Sequence, residues 1–204
     1  MKQIQDELKR VLALNDTLKG SLYFSNLHKD DREWHIIGSA EDGYRRANRP
    51  FPAYAIKRQS PDFELYHDSG AFSHHVEVTM VTPPGAKIHL FHREWEKGGL
   101  KPQEHIYPAY TEHWDWLRSA IEAKLRKPYI KECSILVYFD VSLFDTRERH
   151  PDDFLRSIAL EFRRHTSSDL GIPSLMGSSV GSIVVLSCDF HHVAQLYPQF
   201  DEII

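Results

Sequence analysis

The sequence is poor in cysteine and has no long apolar run, and both absences narrow the classes of protein it can be. Its 204 residues include two cysteines, Cys133 and Cys188. They are too few for a disulfide framework or for paired zinc-binding Cys-x-x-Cys motifs. No apolar stretch approaches the roughly 20 residues of a membrane span, and residues 1–6 lack a signal peptide's apolar segment. We therefore expect a cytoplasmic protein with reduced thiols and no membrane partner.

Several familiar catalytic motifs are also missing. The sequence has no His-Glu-x-x-His zinc motif and no glycine-rich phosphate-binding fingerprint. Residues 177–181 fit the pattern Gly-x-Ser-x-Gly. A strand is predicted to follow them, however, whereas a nucleophile elbow leads into a helix. These absences disfavour zinc proteases, nucleotide-binding P-loops and serine hydrolases.

The charge is weakly acidic, with a formal net value of −4 at pH 7, which by itself argues against a nucleic-acid partner. The basic residues, however, form two groups along the chain. The first group contains Arg45, Arg46, Arg49, Lys57 and Arg58, and the second contains Arg118, Lys124, Arg126, Lys127 and Lys131. A local basic face can hold a phosphate backbone despite the overall sign. The alternative is an ordinary solvated helix surface.

Hydrophobic periodicity predicts an alternation of helices and strands. Helices are predicted over residues 3–18, 31–47 and 111–127 and from Pro151 onward, and strands over 53–57, 62–66, 75–81, 135–139 and 182–188. A long irregular stretch covers residues 82–110. The run 135–139 is wholly apolar, as in a sheet covered on both faces. We predict one α/β domain over residues 1–204, with a mixed central sheet flanked by helices.

The most informative pattern is a pair of acidic strands joined by a turn. Asp62 and Glu64 lie in the first strand, Glu77 lies in the second, and Asp68-Ser69-Gly70 between them supplies turn chemistry. A hairpin would bring Asp62 close to Glu77, and strand alternation would place Glu64 on the same face as Asp62. Carboxylates this close repel each other unless a cation lies between them. Their oxygen ligands suit Mg²⁺ or Mn²⁺.

These residues also carry a family resemblance. Pro61-Asp62 followed by Glu77-Val78-Thr79 resembles the PD-(D/E)xK nuclease superfamily, in its variant that ends Glu-x-Thr. The resemblance covers residues 34–140. It implies a restriction-endonuclease-like fold and Mg²⁺- or Mn²⁺-dependent hydrolysis of phosphodiester bonds in DNA or RNA. Thr79 stands where the pattern usually has a lysine, and lysines in this superfamily sometimes come from a neighbouring helix.

Two charged residues lie on the apolar stripes of predicted helices. Glu41 follows Trp34 at helical spacing, and Lys124 follows Leu117 in the same way. Buried carboxylates are rare unless they are paired or bind a metal. The resemblance implies an acidic residue on the helix before the sheet, a place that Glu41 matches, and it makes Lys124 the candidate for the missing lysine. The structural alternatives are a salt bridge from Glu41 to Arg45 and a Lys124 side chain that reaches solvent.

Three interpretations remain open at this stage. The leading hypothesis is a metal-dependent nuclease, and its rivals are a noncatalytic nuclease-like module that binds nucleic acid or a protein and a structural protein with a buried ion network. The hypothesis assigns catalysis to Asp62, Glu77, Lys124 and Glu41, metal binding to Asp62, Glu77 and Glu64, and substrate binding to Arg45, Arg46, Lys57 and Arg58. The alternative for Glu64 is an exposed strand carboxylate. Only a nuclease needs the four catalytic side chains to meet in an open cleft.

Overall fold

The computed structural model describes residues 1–17, 29–81, 111–128, 132–139, 151–166, 180–186 and 193–197. The predicted irregular stretch 82–110 and Cys188 lie outside the described residues. The helices of this part are α1 (Ile4–Thr17), α2 (Lys29–Arg46), α3 (Thr111–Leu125) and α4 (Pro151–Thr166). The strands are β1 (Lys2–Gln3), β2 (Tyr54–Lys57), β3 (Phe63–Tyr66), β4 (Phe72–Val81), β5 (Cys133–Phe139), β6 (Val180–Leu186) and β7 (Val193–Tyr197). None of these helices is long and apolar enough to span a bilayer.

The strands form one seven-stranded sheet in the order β1-β2-β3-β4-β5-β6-β7. Strands β4, β5 and β6 run parallel, and the other neighbours pair antiparallel. The predicted α/β class with a mixed, helix-flanked sheet is confirmed. Strands β1 and β7 were not predicted. The two residues of β1 are too few to show a period, and β7 carries little of the alternation that identifies a strand.

Each face of the sheet is covered by a pair of helices. Val76, Val78 and Leu136 pack in one cluster with apolar residues of α1 and α2. The residues that alternate with them, including Ile135 and Val137, pack in a second cluster with α3 and α4. Both faces of β5 are therefore buried, which explains why its sequence is continuously apolar.

The unequal lengths of β3 and β4 create a notch in the sheet. Strand β4 has 10 residues, whereas β3 has 4. The pairing of the two strands extends along β4 only as far as Val76, which lies opposite Phe63. Strand β5, on the other side, pairs with β4 through Val81. From Glu77 onward, β4 therefore has a strand neighbour on one side only within the described residues.

The β3–β4 pairing ends at Phe63, which is fully buried and packs edge-to-face on Trp34 with 4.9 Å between ring centroids. We expect Phe63→Ala to lower the free energy of unfolding by about 3–5 kcal/mol, because the substitution leaves a cavity in the core. Phe72→Ala is the control, since Phe72 is 39% exposed, and it should cost at most about 1.5 kcal/mol. Urea denaturation measures both values, and equal losses would contradict this account of the core.

Candidate functional site

A cavity of about 360 Å³ lies at the notch. Four parts of the chain supply its charged lining: the first two turns of α2, the bend before β3, strand β4 and the end of α3. These lining residues are Lys29, Arg32, Glu33, Asp62, Glu77, Lys124 and Lys127. The structure thus brings Asp62, Glu77 and Lys124, three of the four predicted catalytic residues, to one cavity.

Asp62 lies in the bend between β2 and β3, which is closed by a hydrogen bond from the Arg58 N–H to the Asp62 carbonyl at 2.8 Å. The residue is 5% exposed, and its carboxylate accepts a hydrogen bond from the Val78 N–H at 2.8 Å. Burial raises the pKa of Asp62. The Val78 bond opposes this shift, and the nearby charges of Glu33 and Glu77 add to it. The ionised carboxylate is therefore held in surroundings that a cation would improve.

Glu77 lies on β4 and is 2% exposed. Its Oε1 accepts hydrogen bonds from Lys124, at 2.7 Å, and from Lys127. Burial alone would raise the pKa of Glu77, but the two lysine hydrogen bonds outweigh it and hold this pKa below its ordinary value. Oε2 is buried and has no hydrogen-bond partner among the described residues. Glu77 is thus an ionised side chain with one oxygen still available to a ligand.

The two lysines reach Glu77 from the end of α3. Lys124 lies in the last turn of the helix, and Lys127 lies in the turn after it, where its N–H bonds to the Lys124 carbonyl at 3.0 Å. Sequence reasoning selected Lys124 from its place on the apolar stripe and gave Lys127 no catalytic role. The sequence signal for Lys127 was its spacing of three residues from Lys124 within the predicted helix 111–127, since that spacing places side chains next to each other on a helix.

Glu41 is not among the residues that line the cavity. It is buried on α2, where it accepts a hydrogen bond from Gln5. Burial raises the pKa of Glu41, and Arg45 opposes this shift. The acidic residue that α2 contributes to the cavity is Glu33, which is 7% exposed. Sequence reasoning missed Glu33 because it lies near the predicted start of the helix at residue 31, where acidic residues usually serve the helix dipole.

Glu64 also lies apart from the cavity lining. Its carboxylate accepts hydrogen bonds from Arg58 at 2.9 Å and from the Tyr66 hydroxyl at 3.1 Å. Strand alternation predicted that Glu64 would share a face with Asp62. Asp62 precedes β3 rather than belonging to it, so alternation does not relate the two side chains.

The residues expected to bind substrate have carboxylate partners. Arg45 and Arg46 are exposed and pair with Asp42 on α2, and Arg58 pairs with Glu64. Lys57 lies close to the cavity, because its Nζ is 3.9 Å from Asp62 Oδ1. The basic residues that do line the cavity are Lys29, Arg32, Lys124 and Lys127.

The cavity offers few protein ligands for a magnesium ion. Within the described ranges, no group of three or more His, Cys, Asp or Glu side chains is arranged to hold a metal. Asp62 and Glu77 supply two carboxylates, and Mg²⁺ is commonly held by one or two carboxylates together with water and substrate phosphate. The unpartnered Oε2 of Glu77 and the raised pKa of Asp62 both fit a cation bound between these side chains.

No protein-family model, curated protein or solved structure matches the chain.

The two carboxylates should affect stability in opposite directions when chelator is present. The folded-state pKa of Asp62 lies above its ordinary value of 3.8, so its ionised form opposes folding at pH 7 and Asp62→Asn should raise the free energy of unfolding. The folded-state pKa of Glu77 lies below its ordinary value of 4.5, so its ionised form favours folding and Glu77→Gln should lower it. Urea denaturation at pH 7 measures both changes.

Acidification provides the control for this pair of variants. The destabilising contribution of Asp62 should disappear as the pH falls through its folded-state pKa toward 3.8. The stabilising contribution of Glu77 persists down to 4.5 and should be lost as the pH falls below that value, through its folded-state pKa. Two changes of the same sign at pH 7 would contradict the charge arrangement described here.

Proposed function

We propose that the protein is a metal-dependent nuclease with a restriction-endonuclease-like fold, which hydrolyses phosphodiester bonds in DNA or RNA. The observation that carries the proposal is the convergence of Asp62, Glu77 and Lys124 on one cavity. These residues come from a bend, a strand and a helix that are distant in sequence. A carboxylate pair with an adjacent lysine is the combination that metal-assisted phosphodiester hydrolysis needs.

The charge of the cavity supports an anionic substrate. Its lining includes four cationic side chains against three anionic ones, whereas the whole chain carries a net charge of −4. A bound divalent cation would make the cavity more positive still. A positive cleft on an acidic protein can attract a phosphate backbone locally. This distribution removes the objection that the overall charge raised against nucleic acid.

In this mechanism, Asp62 and Glu77 would hold one Mg²⁺ or Mn²⁺. Such an ion would supply the charge that polarises a scissile phosphate and lowers the pKa of a water molecule. The ammonium of Lys124 is 2.7 Å from Glu77 Oε1, so it is positioned to neutralise negative charge that develops on the phosphate. Lys29, Arg32 and Lys127 bind the flanking phosphates.

Thr79 also lines the cavity but cannot supply a positive charge. The usual lysine of the Glu-x-Lys pattern would lie at this strand position. Here two ammonium groups reach Glu77 from α3 instead. This arrangement supports the interpretation that the catalytic charge has moved from the strand to the neighbouring helix.

A noncatalytic module that binds nucleic acid or a protein is the second candidate. It is favoured by Thr79 and by the small number of acidic ligands, since the described residues contain no group of three that could hold a metal. Such a module would bind nucleic acid or a protein and would cleave neither.

The direct test is cleavage of labelled DNA and RNA, single- and double-stranded, followed by electrophoresis. We expect cleavage in Mg²⁺ or Mn²⁺ and none in chelator. Asp62→Asn and Glu77→Gln should abolish it, because each removes a metal ligand. Lys124→Met should lower the turnover rate by about 10²–10³-fold, the usual effect of losing one group that stabilises charge in the transition state.

Lys9→Met is the matched control, because Lys9 lies on α1 with an exposed side chain and pairs with Asp6 at 3.8 Å. It should leave cleavage unchanged. If the whole panel of substrates stays intact in both metals, the nuclease proposal is wrong. Binding without cleavage would then favour the noncatalytic module.

A rescue experiment tests the moved charge. Thr79→Lys in the Lys124→Met background should restore part of the lost rate, because positions 77 and 79 share one face of β4. Lys9→Met with Thr79→Lys serves as the reference. Cleavage by the double variant that is no faster than by Lys124→Met alone would show that the two positions are not equivalent.

A further inference from the structure

Lys57, at the end of β2, has its ammonium group among carboxylates. Its Nζ lies 2.5 Å from Glu33 Oε2, 3.9 Å from Asp62 Oδ1 and 3.9 Å from Asp30 Oδ1. The contact with Glu33 is an ion pair only, because Glu33 Oε2 has no hydrogen-bond partner among the described residues. Asp30 is well exposed, whereas Glu33 and Asp62 are 7% and 5% exposed. Two of the three carboxylates around this lysine are therefore buried acids of the cavity.

The position of the ammonium is fixed by further contacts. It donates a hydrogen bond to the Arg58 carbonyl at 3.0 Å and lies 5.1 Å from the centre of the Phe63 ring. The Lys57 side chain is only 20% exposed. The Lys57 ammonium is therefore held by protein groups, and the expectation that Lys57 binds substrate stays a prediction.

The place that this ammonium occupies lies between two acids. Glu33 and Asp62 repel each other when both are ionised. Because both carboxylates are buried, a positive charge between them is needed to offset that repulsion. A divalent cation supplies that charge in two-metal hydrolases. A metal bound to Glu33 Oε2 on the side of Asp62 would collide with an ammonium that is already 2.5 Å from this oxygen.

We propose that Lys57 is a built-in counter-cation that stands in for a second metal ion, so that the site takes a single divalent cation at Asp62 and Glu77. This inference depends on the metal site of the proposed function. It assigns Lys57 as a positioning residue, which holds Asp62 and Glu33 in place with one charge. It also gives Glu33 a partner other than a metal, although Glu33 lines the cavity.

The test is a calorimetric titration with Mn²⁺. The wild type should bind one ion. Lys57→Met keeps the length of the side chain and removes its charge, so this variant should bind two ions, the second at Glu33 and Asp62. Arg58→Met is the matched control, because Arg58 is the next residue and pairs with Glu64 outside the cavity. It should bind one ion with wild-type affinity.

Thermal unfolding supplies a readout that is independent of activity. In chelator, Lys57→Met should unfold at a lower temperature than Arg58→Met, because Asp62 loses its ion-pair partner and, among the described residues, Glu33 keeps only the exposed Lys29, at 3.4 Å. Mn²⁺ should raise the melting temperature of Lys57→Met by more than that of the wild type. The double variant Lys57→Met/Glu33→Gln should regain stability in chelator and bind one ion, since the surplus negative charge has been removed.

These outcomes separate the two proposals. Two ions in the wild type, or one ion in Lys57→Met with wild-type affinity, would overturn the counter-cation proposal alone. No ion in the wild type would overturn both proposals. If the wild type binds one ion and Lys57→Met binds two, but no nucleic acid is cleaved, the counter-cation role of Lys57 is supported and the nuclease proposal is wrong. If both the single and the double variant fail to fold even with Mn²⁺, Lys57 is only structural and the proposal is wrong.

Discussion

The burial of three acidic side chains at one end of the sheet is the constraint on which the site depends. Asp62, Glu77 and Glu33 are each less than a tenth exposed, and buried negative charges are costly unless each has a partner. The chain provides those partners from elements that are far apart in sequence. Val78 donates its N–H to Asp62, two lysines of the α3 terminus pair with Glu77, and Lys57 lies against Glu33.

The partners of Glu77 and Asp62 do not fully compensate their buried charges. Glu77 has two cationic partners on one carboxylate oxygen and none in the described residues on the other. Asp62 keeps a raised pKa despite its hydrogen bond. A purely structural ion network would gain stability by satisfying both groups. The uneven pairing instead resembles the strain that proteins keep at functional sites, where local stability is given up for chemistry.

The sequence allowed the fold class and much of the site to be predicted, because periodicity is a local signal. Strand alternation identified Glu77, and helical spacing placed Lys124 on the inner face of α3, where the structure has it. Helical and strand periodicity did not predict where Glu41, Glu64 and Lys57 lie relative to the cavity. Glu41 is buried on α2 but does not line the cavity, and Glu64 belongs to a strand that Asp62 does not share. The surroundings of Lys57 depend on how β2 meets α2, which no local pattern encodes.

The shortness of β3 gives this site an unusual vulnerability to insertions. The pairing of β3 with β4 stops at Val76, and that early stop leaves the Val78 N–H for Asp62. Two more residues of β3 in the same register would take that N–H into the strand ladder and push the Asp62 bend outward. Access to the cavity is thus set by a strand length rather than by the identity of any residue in it. A homologue could lose the site by a short insertion while keeping every acid and every lysine, so an alignment that scores residues alone would overlook the change.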